Sequence, residues 1–166
     1  YMLGDYVRDK DAVTASMLLT EMAAWYAAQG MTLFDALNAL YEKYGYYAEK
    51  THNLVMPGLD GLRDMAELMR KLKDEPPTEI AGTEVVVRKD YNDGTVHDCR
   101  TGAVTKMELS GSNVLRFELS DGTTILARPS GTEPKIKVYI LARGKDAADA
   151  AANVEKYGAW AEALNG

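Results

Sequence analysis

Apolar residues along this chain keep two different rhythms. In the first part Ala15, Leu18, Leu19, Met22 and Tyr26 recur at helical spacing, which predicts a helix with one buried face. Gly30 ends it. Thr32 and Asp35 stand three apart, as in a capping box, and Leu33, Ala36, Leu37, Leu40, Tyr41 and Tyr44 keep helical spacing up to Gly45. Two helices are therefore expected over residues 11–45, with their Tyr and Met side chains packed inside.

After residue 45 the rhythm changes. Residues 46–56 read as a strand and Pro57-Gly58 as a turn. Leu62, Met65, Ala66, Met69 and Leu72 follow as one face of a third helix, stopped by Pro76 and Pro77. From Thr83 strands dominate: Val85, Val86 and Val87, then Leu115, Phe117 and Leu119 alternating with Arg116 and Glu118. Asp121-Gly122 predicts a two-residue hairpin turn, because both residues tolerate the positive φ that such a turn demands. The return strand covers residues 123–127. Ile136, Val138 and Ile140 alternate with Lys135, Lys137 and Tyr139, a half-buried strand with its cations on one face. Ala150, Val154, Tyr157, Ala161 and Leu164 form the inner face of a last helix. The order predicts an α+β fold, an antiparallel sheet with helices packed on one face, preceded by a helical pair. A boundary is expected near residue 45, giving domains 1–45 and 46–166.

Composition narrows the class. A chain of 166 residues with 46% hydrophobic residues can build one ordinary core, or one core plus a helical appendage. No run of about 18 apolar residues and no basic-then-apolar leader is present, so a cytoplasmic protein without a membrane span is expected. Cys99, the only cysteine, has no thiol partner for a disulfide or a zinc site. A net charge of −6 would repel a nucleic-acid backbone, and any anionic ligand needs a local positive cluster working against that field. The sequence opens on Tyr1 and reads as a piece of a longer chain.

Residues 128–135, Arg-Pro-Ser-Gly-Thr-Glu-Pro-Lys, have the composition of such a cluster. Arg128 offers a planar fork of donors. Ser130 and Thr132 add hydroxyls, and Gly131 lets backbone N–H groups turn toward one point without a Cβ in the way. The prolines stiffen both ends, and Lys137 leaves the following strand on the side of Lys135. The same residues also suit a plain polar turn between strands.

RPSGTEPK followed by IKVYI resembles the phosphate-binding loop and next strand of the last domain of the α-D-phosphohexomutases, the phosphoglucomutase and phosphomannomutase family. Near the start, YVRDKDAVTASMLLTEMAAWYAAQG resembles the segment after the sugar-binding loop in the third domain of phosphoglucomutases. The resemblance implies a C-terminal part: the helical end of the third domain over 1–45, and over 46–166 a phosphate-binding domain of the TATA-box-binding-protein-like kind.

By that resemblance Arg128, Ser130, Gly131 and Thr132 hold the substrate phosphate that is not being transferred, with Lys137 completing the clamp. Lys10 matches a lysine that faces the reacting sugar and helps move its hydroxyl proton; read alone, residues 8–11 also suit a solvated charge cluster with Asp11 as a helix cap. The family implies a phosphoserine enzyme with Mg²⁺ and a hexose 1,6-bisphosphate intermediate. This chain has no serine loop, aspartate-rich metal loop or Glu-Glu-Ser sugar loop, so no metal ligand and no turnover are expected from it alone. Its partners would be a phosphosugar and the remaining domains. Residues 8–13 favour phosphoglucomutase over phosphomannomutase or phosphoglucosamine mutase. The rival class is a non-catalytic phosphosugar-binding or interaction module. His97, Asp98 and Cys99 are adjacent, point in different directions and read as ordinary loop residues; His52 reads as a structural or surface histidine, not an acid or base.

Overall fold

The computed structural model describes residues 9–165. Arg8, and with it the start of the segment used above for the resemblance, lies outside them. The chain separates after Gly45 into two compact units.

In the first unit α1 (Ala12–Ala27) starts at Asp11, whose carboxylate accepts from the N–H groups of Val13 and Thr14 at 3.0 and 3.1 Å. Two donors that a helix start leaves open are thereby satisfied. Helix α2 (Leu33–Tyr44) opens on the expected capping box: Asp35 N–H donates to Thr32 Oγ1 at 3.1 Å, and Thr32 N–H to Asp35 Oδ2 at 2.8 Å. The helices lie where the spacing put them, but their expected packing is corrected. No residue of α1 is buried and in α2 only Ala36 is; Met17, Trp25 and Phe34 are 69%, 60% and 70% exposed. Helical spacing shows that a face is apolar, and a second layer must still cover it.

The second unit runs β1 (Tyr46–Val55), α3 (Gly61–Asp74), β2 (Glu79–Ile80), β3 (Thr83–Asp90), β4 (Thr95–Asp98), β5 (Val104–Lys106), β6 (Leu115–Leu119), β7 (Thr124–Pro129), β8 (Lys135–Gly144) and α4 (Ala147–Ala163). The sheet is antiparallel in the order β1-β8-β7-β6-β3-β4-β5, with β2 paired to the start of β3. Ile136, Val138 and Ile140 of β8 are fully buried, while Lys135, Lys137 and Tyr139 are half-buried on the other face. Phe117 and Ile125 extend the buried face onto β6 and β7, and Met69 and Leu72 of α3 with Val154, Tyr157 and Ala161 of α4 close it. This is the expected α+β fold, an antiparallel sheet carrying its helices on one face.

Tyr157 fastens the layers. Its hydroxyl donates to the Asp121 carboxylate and lies 2.9 Å from Thr83 Oγ1, so α4 is tied to the β6–β7 corner and to the start of β3. Burial, helped by the bond to Asp121, pushes the phenol up to about 12.

Three local expectations change. The hairpin loop holds three residues, not two: Gly122 N–H donates to Leu119 O at 3.0 Å, Leu119 N–H to Thr123 O at 2.8 Å, and of Ser120, Asp121 and Gly122 only Gly122 has positive φ, 86°. Asp121 serves instead by accepting from Thr123 N–H at 2.9 Å. Leu62 is 63% exposed, and α3 turns Met65, Leu68, Met69 and Leu72 inward. His97 and Asp98, expected in a loop, lie on β4, whose four residues are all half-buried and so lack an alternating signal. No helix of the described residues is long and apolar enough to cross a membrane.

Candidate functional site

The turn between β7 and β8 is fastened from three directions. Arg128 pairs with Lys137 and Pro129 with Ile136 in the ladder. Ser130 N–H donates to Lys135 O, Lys135 N–H to Glu133 O, and Met56 N–H, at the end of β1, to Pro134 O, each at 2.8 Å. The start of α3 also presses close to the turn. A Cβ on Gly61 would stand 2.2 Å from Met56 O and 3.1 Å from Cβ of Pro134, so only glycine admits this approach.

Because Arg128 and Lys137 are opposite each other on an antiparallel pair, their side chains leave the same face of the sheet. Among the described residues neither has a carboxylate within ion-pair distance. Lys135, which the sequence adds to the positive cluster, is taken by Glu133 at 2.6 Å, and that bond holds the Glu133 carboxyl below its ordinary value. Two cations thus remain for a ligand.

Thr132 N–H lies 3.4 Å from Ser130 Oγ, and Gly131 and Thr132 are exposed. A Cβ on Gly131 would meet nothing within 4 Å, and its φ is not in the left-handed region. The fold itself therefore does not require glycine there. What the missing side chain leaves is open space in front of the backbone.

Arg128, Ser130 and Gly131 come together on one cleft of about 690 Å³, which also has Met65, Ala66 and Met69 of α3 and Ser112 and Asn113 ahead of β6 in its walls. Thr132 and Lys137 are not among those walls. The α3 and Asn113 walls have no counterpart in the sequence reading: Met65 and Met69 read there as one face of a helix, and Asn113 belongs to no motif. Lys10 belongs to the first unit, exposed ahead of α1, with its ammonium 2.9 Å from Asp9 Oδ1; that hydrogen bond holds the Asp9 carboxyl below its ordinary value.

The remaining candidates are engaged elsewhere. His52 is buried against Gly158, where a Cβ would fall 2.7 Å from its Nε2, and its Nδ1 is 3.2 Å from Glu162 Oε1. His97 Nδ1 lies 3.3 Å from Arg88 Nη2. The Cys99 thiol is pushed up by burial, which disfavours a thiolate. Among the described residues no three His, Cys, Asp or Glu side chains are grouped to hold a metal ion.

Residues 53–156 match the family model described as phosphoglucomutase/phosphomannomutase, C-terminal domain. A phosphoglucomutase of Staphylococcus aureus is 36% identical over 135 residues, 81% of this chain and 24% of that relative. Phosphoglucomutases of Staphylococcus saprophyticus and Staphylococcus haemolyticus are each 34% identical, over 84% of this chain and 25% of each relative. The chain spans about a quarter of the length of these relatives. Its fold is also similar to that of parafusin, an exocytosis-sensitive phosphoprotein and phosphoglucomutase of Paramecium, in its open form. That likeness has a TM-score of 0.57 at 18% identity, covering 96% of this chain and 28% of the other.

Proposed function

The chain belongs to the phosphoglucomutase/phosphomannomutase family, whose C-terminal domain it carries, and from that premise we propose that the Arg128 turn holds the phosphate of a hexose phosphate. One observation carries this reading: in a chain of net charge −6, Arg128 and Lys137 are directly paired on neighbouring strands, neither within ion-pair distance of a carboxylate among the described residues, at the foot of the turn that carries the open backbone of Gly131. A guanidinium fork and convergent N–H and hydroxyl donors suit a phosphate dianion.

In the full-length enzyme the held phosphate is the one not being transferred. Such a parent interconverts hexose 1-phosphate and hexose 6-phosphate through a phosphoserine and a hexose 1,6-bisphosphate, in the cytoplasm, and its relatives' names favour glucose phosphates. A grip that recognises only the phosphate accepts either end of the sugar, so the intermediate can reorient while one end stays bound. Arg128, Ser130, Gly131, Thr132 and Lys137 bind and orient. Lys10 moves a proton at the sugar hydroxyl. Residues 1–45 are the helical end of the third domain, a reading supported by the exposed apolar face of α1, and residues 46–166 the fourth domain.

Mg²⁺ does not fit the described residues of this chain. No ligand cluster is found among them, and Asp90 and Asp93, which lie close together, are both claimed by Lys73, at 3.0 and 2.7 Å. We assign the ion to parts of the enzyme outside this chain, and the 166 residues alone are inactive.

Two or three charged hydrogen bonds at about 1.5–3 kcal/mol each, less at least about 4 kcal/mol for lost freedom, leave millimolar affinity or weaker. Titration of glucose 6-phosphate into the ¹⁵N-labelled chain should shift the amides of Ser130, Gly131 and Thr132 with a millimolar Kd, and Arg128→Ala should abolish the shifts. Micromolar binding, or binding indifferent to Arg128→Ala, would overturn the reading.

A further inference from the structure

The cleft beside the Arg128 turn has a polar wall that a phosphate grip does not need. We propose that Asn113 is a specificity-determining residue, its carboxamide hydrogen-bonding the hydroxyls of the sugar whose phosphate the turn holds; this rests on the reading of the turn given above.

Position supports it first. Asn113 lies two residues ahead of Leu115, the β6 residue that pairs with Ala127, and so comes near the end of β7 where the turn begins. Asn113 and Ser112 share the cleft with Arg128, Ser130 and Gly131. At about 690 Å³ its size falls within the range of small-molecule sites.

Rigidity comes next. The corner that presents Asn113 is pinned to the end of β3: Gly111 N–H donates to Asn92 O and Ser112 N–H to Tyr91 O, both at 3.2 Å, and Tyr91 N–H donates to Val114 O at 3.0 Å. Its backbone is therefore fixed before a ligand arrives.

Chemistry completes the case. The Asn113 carboxamide is exposed and makes no side-chain hydrogen bond with the described residues, leaving donors and an acceptor that match hydroxyl groups. The facing wall of Met65, Ala66 and Met69 offers apolar surface to the C–H side of a sugar ring. A neutral amide adds nothing to the pull on phosphate, so its contribution is discrimination between a sugar phosphate and phosphate alone.

The test compares glucose 6-phosphate with inorganic phosphate by ¹⁵N titration of the 166-residue chain, of Asn113→Ala and of Arg128→Ala. The unaltered chain should bind glucose 6-phosphate about 5-fold more tightly than inorganic phosphate. Asn113→Ala should remove that preference while leaving inorganic phosphate unchanged, and Arg128→Ala should weaken both. A preference that survives Asn113→Ala, or equal binding of the two ligands by the unaltered chain, overturns the role of Asn113 and leaves the phosphate grip standing. Indifference of both ligands to Arg128→Ala overturns the grip, and the role of Asn113 with it. A urea midpoint for Asn113→Ala equal to that of the unaltered chain separates lost recognition from lost folding.

Discussion

Two charged clusters in the second unit use the same residue types to opposite ends. Around Lys73, at the close of α3, the charge is matched: its ammonium meets Asp90 at 3.0 Å and Asp93 at 2.7 Å, and nearby Arg70 meets Asp74 at 3.2 Å. Around Arg128 the charge is left over, since Glu133 meets Lys135 while Arg128 and Lys137 have no carboxylate within ion-pair distance among the described residues. A cation matched inside the fold contributes to holding it together. One left unmatched on a rigid turn contributes little to stability and can serve a ligand.

Exchanging charge at the two places separates these roles most strongly. Arg128→Glu should weaken glucose 6-phosphate binding by more than about 10-fold, because an attractive charge becomes a repulsive one, with the urea midpoint unchanged. Lys73→Glu should do the reverse, lowering the midpoint by placing three carboxylates together while the phosphate titration stays the same. If Lys73→Glu weakens phosphate binding as much as Arg128→Glu does, the division fails.

Acid should sharpen the comparison. A phosphate monoester has its second pKa at about 6, so binding at the Arg128 turn should fall several-fold between pH 7 and 5 as the dianion becomes a monoanion. The Lys73 cluster should not respond over that interval. Its bond to Lys73 holds the Asp93 carboxyl below its ordinary value of 3.8, so the stabilisation is fully present above that value and is lost only as pH falls through the lowered one. Urea midpoints alike at pH 7 and 5 and falling below pH 4 would agree; a midpoint that drops between 7 and 5 would not.

Gly131→Ala is the gentlest probe. Open space around the new methyl predicts a stability change within about 0.5 kcal/mol, while a ligand approaching the backbone should bind about 2- to 5-fold more weakly. Unchanged binding would mean that the phosphate does not approach the turn from that side.

Legibility in the sequence followed the period of burial. Ile136, Val138 and Ile140 announce β8 because every second side chain there reaches full burial, and Leu115, Phe117 and Leu119 announce β6 in the same way. The β3–β4 hairpin stayed hidden because the side chains of Thr95, Val96, His97 and Asp98 are all half-buried, leaving no alternation to detect. In α1 the spacing was read correctly and the burial was not. At the site, residue types alone picked out the turn at 128–135. The cleft was beyond reach, since Asn113 and Met65 come beside Gly131 only through the ladder of β6 with β7 and the seating of α3.

The three backbone bonds that fasten the turn at Ser130, Lys135 and Pro134 bear on kinetics as well as affinity. A ligand arriving at a backbone already locked in place has no slow rearrangement to wait for. Capture should be a single bimolecular step, governed by diffusion and electrostatic attraction and slowed by added salt, and release should follow one exponential.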